Sequence, residues 1–280
     1  MSVALAILLL LGLGYLAVAL VFAGRQDSMF FQPKQILAAA PGDVGLQHED
    51  VAITAPDGVR LHAWWLPRAN GATGMGAGFT LLFLHGANTN LGDRVDTLRF
   101  WHDLGFEILA LDYRGYGRSE GRATEIGLYA DTRAAWDWLT EERGARPSLV
   151  VVAAESMGVS LATELGLTVK PAGMVLEAGF TCAADVAARR YPWLPVRQMI
   201  RLGLNNENRV GRLRFPKLLV HSVEDRLVPI TLGRRLERRA APPFRFLTIR
   251  GGHAVACSEG GERYRRGLAE WLEDLAGSVS

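Results

Sequence analysis

A serine, an aspartate and a histidine occur in this chain in an order and in local settings that suit covalent catalysis. Ser156 stands in the pentapeptide Ala154–Gly158, between an apolar run and a helical pattern, where a sharp turn can lift its hydroxyl above a sheet. Asp225 and His253 each follow a later apolar run. A serine hydroxyl needs a base to take its proton and a carboxylate to orient that base, so these residues predict acyl transfer through a covalent intermediate.

The reaction also needs hydrogen-bond donors for the oxyanion that forms on the attacked carbonyl. We expect one donor to be the backbone N–H of Met157 and the other that of Ala87, in the loop that begins at His85. Asn88 is predicted to shape this loop and to contact substrate, and His85 is interpreted as structural. The adjacent Glu224 remains the alternative to the aspartate as the acid.

Short apolar runs alternate with helical patterns along most of the chain, which is typical of a doubly wound α/β sheet. The predicted strands are Leu46–Thr54, Val59–Leu66, Phe79–Leu84, Glu107–Leu111, Leu149–Ala154, Gly173–Leu176, Lys217–Val220 and Phe244–Ile249. The first two form a hairpin. Because parallel strands end at one edge of a sheet, this order places the three candidate catalytic residues at that edge.

One connection, between the strands ending near Leu176 and beginning near Lys217, is long for a simple crossover. We interpret residues from about 180 to 214 as a small helical cap over the site. Tyr191 and Trp193 in its middle are predicted to contact substrate.

The N-terminal segment from Ser2 to Gly24 carries no charged residue and is long enough to cross a bilayer as a helix. We expect an anchor over 1–24, a juxtamembrane linker over 25–45 and the α/β domain over 46–280. A cleaved signal peptide is the alternative, although no Lys or Arg precedes the apolar run. Arg25 and Lys34 after the segment favour a cytoplasmic domain over an extracytoplasmic one.

The composition narrows the possible partners. The formal net charge is +2, with 31 basic and 29 acidic side chains, which gives no general electrostatic argument for nucleic acid. Only Cys182 and Cys257 are present, so neither a disulfide scaffold nor a cysteine metal motif is indicated. We therefore expect no metal and no cofactor. The arginine clusters near residues 234–239 and 263–266 are interpreted as solvated helix faces.

Three motifs resemble those of α/β-hydrolase-fold proteins, in particular the group of Bem46-like and ABHD13-like membrane proteins with related serine esterases and thioesterases. Asp27–Pro33 resembles the segment after that group's membrane anchor, Asp57–Trp65 its second-strand hairpin, and Asp112–Gly121 its most recognisable turn. The resemblance implies a mostly parallel eight-stranded sheet with helices on both faces. Two residues depart from the group, since Ala154 and Ser222 stand where glycine is usual.

The sequence therefore predicts a membrane-anchored serine hydrolase acting on an ester or thioester of a small-molecule or acylated substrate, with a lipid-derived one suggested by the anchor. Two alternatives remain open at this point. One is a membrane-tethered scaffold that keeps the fold but has lost useful catalysis, and the other is an acyltransferase with an acceptor other than water.

Overall fold

The computed structural model describes residues 2–69, 71 and 73–279. Eight strands form a single sheet, as the motifs implied. They are β1 (Glu49–Thr54), β2 (Arg60–Leu66), β3 (Thr80–Leu84), β4 (Glu107–Leu111), β5 (Val150–Glu155), β6 (Gly173–Glu177), β7 (Lys217–Ser222) and β8 (Phe244–Ile249). Their order is β1-β2-β4-β3-β5-β6-β7-β8. β2 runs antiparallel to β1 and β4, and the other pairs are parallel.

Eleven α-helical segments accompany the sheet within the described ranges. They are α1 (Val3–Gly24), α2 (Gln26–Phe30), α3 (Val95–Asp103), α4 (Glu125–Asp137), α5 (Met157–Leu165), α6 (Ala183–Arg190), α7 (Val196–Met199), α8 (Asn206–Val210), α9 (Ile230–Arg239), α10 (Ala256–Glu259) and α11 (Gly261–Val279). α4 and α5 contribute to the core on one face of the sheet, and α3 and α11 to the core on the other.

The two cores explain why the central strands are apolar throughout. Along β3, Leu82 and Leu84 pack into one core while Leu81 and Phe83 pack into the other. Successive side chains of a strand point to opposite faces, so a strand covered on both faces must be apolar at every position. The fold class predicted from sequence is confirmed.

The first strand differs from its predicted bounds. It begins at Glu49 because Gly45, at φ +77°, turns the chain, and the N–H of Leu46 bonds the carbonyl of Pro41 across that turn. Leu46 is buried in the core although it lies outside the strand. The predicted strand began three residues too early because Leu46 is apolar and buried like a strand residue.

The Asp112–Gly121 turn braces the loops at one edge of the sheet. Arg114 bonds both Asp57, in the β1–β2 turn, and Asp131 on α4, at 2.7 Å each. The Asp112 carboxylate accepts from the N–H of Leu91 at 3.0 Å. These contacts give the turn an architectural role.

Two segments lie next to the carboxyl edge of the sheet. The connection between β6 and β7 carries the short helices α6, α7 and α8. The apolar helix α1 is long enough to cross a membrane, with a mean hydropathy of 2.7 over its most apolar window. Its final turn and α2 pack against the β6–β7 connection, so the two segments form one wall beside the sheet edge.

Candidate active site

Ser156 lies at the turn between β5 and α5. Its backbone has φ +52° and ψ −110°, a region that non-glycine residues adopt at a cost of about 1–3 kcal/mol. Its N–H donates to the carbonyl of Glu177 on β6 at 2.9 Å. The hydroxyl reaches the histidine at the sheet edge because this strained turn is fixed between β6 and the first turn of α5.

Close packing explains one of the two small residues that flank the serine. A methyl group on Gly158 would lie 2.3 Å from the carbonyl oxygen of Leu84, so this position requires glycine. Ala154 lies in register between Leu84 and Leu176 and is buried in the core. Its methyl group is accommodated there, so alanine in place of the usual glycine does not disturb the turn.

A continuous hydrogen-bond path joins the three residues singled out from sequence. Nε2 of His253 lies 2.8 Å from Oγ of Ser156, and Nδ1 lies 2.7 Å from Oδ2 of Asp225. The other carboxylate oxygen of Asp225 accepts from the N–H groups of Leu227 and Val228, at 2.9 and 2.8 Å. The structure thus brings together residues that are up to 97 positions apart.

Asp225 is ionised in this setting. Burial alone would raise the pKa of its carboxyl group, but the hydrogen bond and charge interaction with His253, together with the N–H of Val228, outweigh burial and hold the pKa below its ordinary value. The aspartate can therefore stabilise the imidazolium that forms when the histidine accepts a proton. Glu224 faces away from this path, because its carboxylate binds the N–H of Gly251 at 3.0 Å.

The loop that carries His253 is held by carboxylates on three sides. Each accepts one backbone N–H of the loop: Glu224 that of Gly251 at 3.0 Å, Glu259 that of Gly252 at 2.8 Å, and Glu177 that of Ala256 at 2.7 Å. The bonds to Glu224 and Glu259 are charge-assisted and are therefore stronger than neutral ones. The histidine therefore sits on a braced loop.

Ser222, the second departure from the resembled group, also contacts this loop. Its hydroxyl donates to the carbonyl of Gly251 and accepts the N–H of Glu224 at 3.1 Å. Glycine at position 222 would remove both bonds. The serine therefore ties the loop after β7 to the histidine loop after β8.

A buried charged cluster lies beneath the nucleophile. Arg94 binds Glu155 at 2.7 Å, and Arg94 also lines the cavity beside Ser156. Burial, together with the nearby charge of Glu155, raises the pKa of Glu177 to about 8. Glu177 is therefore largely protonated at neutral pH, which lets two carboxyl groups share the site with a single arginine.

Two backbone N–H groups are available for an oxyanion. Neither the amide of Met157 nor that of Ala87 donates to an acceptor in the described part of the chain, and both residues line the cavity. The carbonyl of Ala87 accepts from the N–H of Gln32 at 3.2 Å and from Oη of Tyr116 at 2.7 Å. The segment that follows α2 thus helps to fix the loop that presents the Ala87 amide.

A cavity of about 430 Å³ lies over Ser156. Its apolar lining includes Phe22, Met29, Phe30, Phe180, Ile200 and Leu202. Of the substrate contacts predicted from sequence, Asn88 and Tyr191 line the cavity. Trp193 does not, which corrects its expected role: it lies at the tip of the cap, where 57% of the residue is exposed.

The sequence-based interpretation missed the contribution of the juxtamembrane segment. Gln26 is buried and joins the end of α1 to the β6–β7 connection, because its amide donates to the carbonyl of Met199 at 2.8 Å and accepts the N–H of Arg201 at 2.6 Å. A lone glutamine after an apolar segment gives no such signal. The one available indication was the resemblance of Asp27–Pro33 to a segment that follows a membrane anchor.

Comparisons with known proteins agree with this architecture. Residues 78–195 match the family model described as serine aminopeptidase, S33. The Mycobacterium tuberculosis protein Rv2307c, itself uncharacterised, is 36% identical over 205 residues, which cover 73% of this chain and 72% of that protein. The lysophosphatidylserine lipase ABHD12 of Macaca fascicularis is 29% identical over 240 residues, covering 74% of this chain and 60% of that enzyme.

A solved structure is similar over nearly its whole length. An esterase of Pyrococcus furiosus superposes with a TM-score of 0.71 over 86% of this chain and 98% of that one, at 22% identity. At that identity the likeness shows the fold alone. Taken with the sequence relatives and the eight-stranded sheet, these similarities establish that the chain belongs to the α/β-hydrolase superfamily.

Proposed function

We propose that this chain is a membrane-anchored serine hydrolase that cleaves a carboxylic ester or thioester through Ser156, His253 and Asp225. One observation carries the proposal: the hydrogen-bond path from the Asp225 carboxylate through the imidazole to the Ser156 hydroxyl, with links of 2.7 and 2.8 Å. These lengths suit proton transfer without rearrangement of the loops.

In each half-reaction of the proposed mechanism, His253 first accepts a proton and then donates it. Oγ of Ser156 attacks the acyl carbon while Nε2 of His253 takes its proton, and the N–H groups of Met157 and Ala87 receive the oxyanion. The imidazolium then gives that proton to the leaving alcohol or thiol as the acyl–oxygen or acyl–sulfur bond breaks. Water, deprotonated by the same imidazole, releases the acid and restores the serine.

The chemistry of the cavity favours an acyl group with an apolar chain. More than half of its lining residues are apolar, with Phe30, Phe180 and Leu202 among them, and the rest include four arginines. One of the relatives is a lysophosphatidylserine lipase, which supports a lipid-derived ester as the substrate. No residue in the lining selects an oxygen ester over a thioester.

Anchoring by α1 is the second part of the proposal. Phe22 near the end of α1 is 5% exposed and packs on Ala187, Leu194 and Val196 of the cap, which supports retention of this segment rather than its cleavage. Arg25, directly after α1, favours a cytoplasmic catalytic domain.

The test is a panel of p-nitrophenyl esters and acyl thioesters of graded chain length, hydrolysed by the full chain and by Ser156→Ala. We expect measurable turnover by the wild type and a loss of about three orders of magnitude or more in the variant. Equal turnover by the two proteins would refute the proposal. Product formation only when an alcohol or thiol acceptor is added would identify an acyltransferase instead.

A further inference from the structure

The tip of the cap lies beside the apolar helix α1. Oη of Tyr15 donates to the carbonyl of Trp193 at 3.4 Å, and the indole of Trp193 is largely exposed next to this contact. We call residues 191–195 the cap tip. It follows α6 and leads into α7.

The position of Tyr15 along α1 shows how far the cap tip extends along this helix. Tyr15 precedes Gly24 by nine residues, which corresponds to about 14 Å along the helix axis. The first charged residue of the chain, Arg25, directly follows α1. The cap atom that contacts Tyr15 therefore lies beside the uncharged part of α1, on the N-terminal side of Arg25.

The cap and the end of α1 are fastened together. Phe22 meets the ring of Tyr191 edge to face, with ring centroids 5.4 Å apart, and packs on Leu194. Gln26 clasps the chain at Met199 and Arg201 through both of its amide atoms. A membrane that holds α1 therefore also fixes the level of the cap tip.

Cationic side chains surround the base of this unit. Five exposed arginines in this region make no ion pair with a residue that the structure describes: Arg25, Arg189, Arg190, Arg201 and Arg226. Three of them, Arg189, Arg190 and Arg226, line the cavity.

Two arginines of α9 are arranged differently. Arg234 binds Glu237, and Arg235 binds both Asp185 and Glu207. The guanidinium groups of these two are paired within the protein, whereas those at the base of the cap can meet lipid phosphates.

We propose that the cap tip is inserted into the bilayer beside α1, to the level of Tyr15, with the unpaired arginines near the level of the lipid phosphates, so that the cavity over Ser156 opens toward lipid. The inference rests on the anchoring part of the proposed function. Phe22 belongs to α1 and also lines the cavity, so a path from the lipid to the serine runs along the anchor.

The experiment measures the depth of nitroxide labels on the full chain in nanodiscs of phosphatidylcholine and phosphatidylglycerol. Labels are attached at Trp193→Cys, at Leu10→Cys in α1 and at Met75→Cys, each after Cys182 and Cys257 are replaced by alanine. Met75 is partly exposed in the loop before β3, at the opposite edge of the sheet, and serves as the matched control. Thermal melting establishes that each labelled chain is folded.

We expect the labels at positions 193 and 10 to collide more often with oxygen than with an aqueous nickel complex, and the label at position 75 to show the reverse. A lipid-exposed label at 10 with a water-exposed label at 193 would overturn the inference and leave the anchor standing. Water exposure at both positions would refute the anchor and the inference together. Ester hydrolysis is measured separately, so loss of activity does not enter this result.

A second measurement needs no label on the cap. Brominated lipids should quench the tryptophan emission of the wild type more than that of Trp193→Phe, because the indole at 193 is the one that contacts lipid. Equal fractional quenching of the two proteins would contradict seating in the bilayer.

Discussion

Replacing Asp225 by asparagine separates the role of its charge from the role of its shape. The asparagine oxygen can still accept the N–H groups of Leu227 and Val228, which bind Oδ1 of the aspartate at 2.9 and 2.8 Å. Its NH₂ group would then face Nδ1 of His253, where the carboxylate oxygen now lies at 2.7 Å. The imidazole must accept that bond, so its proton moves to Nε2.

A proton on Nε2 stops the histidine from taking the proton of Ser156, which lies 2.8 Å away. Loss of the correct tautomer in such a triad lowers kcat by about 10⁴-fold, which is about 5.5 kcal/mol of transition-state stabilisation. Because both backbone hydrogen bonds survive, we expect Asp225→Asn to remain folded. The loss of activity should therefore appear as a lower kcat.

The assay is steady-state hydrolysis of a short-chain p-nitrophenyl ester at neutral pH, with thermal melting as the measure of folding. Glu224→Gln is the matched control, because it removes the neighbouring carboxylate charge yet keeps an oxygen for the N–H of Gly251. The control should stay close to wild type. If Asp225→Asn retained most activity while Glu224→Gln lost it, the acid role would belong to Glu224.

Three further substitutions test other parts of the structure. Gly158→Ala places a methyl group 2.3 Å from the carbonyl of Leu84 and should destabilise the fold by about 3 kcal/mol, measured by denaturant unfolding. Glu177→Gln should flatten the pH dependence of the unfolding free energy between about pH 4.5 and 8. The raised pKa of Glu177 contributes stability that is fully present below about pH 4.5 and is lost as the pH rises through about 8. Glutamine cannot ionise, so this contribution no longer varies with pH. Gln26→Ala removes the clasp at Met199 and should lower kcat/KM for long-chain esters in nanodiscs more than for short-chain soluble esters, measured on both substrate types.

For each of these three substitutions, one result would contradict the prediction. Ala154→Gly, at the other flank of the serine, should cost only about 1 kcal/mol, so an equal loss at 154 and 158 would contradict the packing argument. An unchanged slope of unfolding free energy against pH in Glu177→Gln would show that this residue is not protonated in the folded chain. Equal losses of kcat/KM on both substrates in Gln26→Ala would show that Gln26 has no role in access to the cavity.

The fold and the meeting of Ser156, Asp225 and His253 at one edge of the sheet could be predicted because both depend on local signals. The strands Glu107–Leu111 and Phe244–Ile249 were predicted with the bounds that the structure has. The first is an apolar run that is almost wholly buried, as expected of a strand covered on both faces. Ser156, Asp225 and His253 each follow a strand, and parallel topology brings such residues to one edge.

Contacts between segments far apart in sequence could not be predicted. Glu177 and Glu259 hold the histidine loop through side-chain bonds to backbone N–H groups, a role that leaves no pattern in residue spacing. Trp193 was expected to contact substrate because it stands in an aromatic stretch of the cap. Its position outside the cavity follows from the packing of the cap tip on α1, which only the assembled chain determines.

The central claim is that Ser156 is a nucleophile activated by its neighbours. Reaction of the full chain with a fluorophosphonate probe, followed by mass spectrometry of the labelled peptide, tests it most directly. We predict a single adduct on Ser156, absent from Ser156→Ala and strongly slowed in His253→Ala. A folded wild type that fails to react, or an adduct on another serine that persists in Ser156→Ala, would contradict the account.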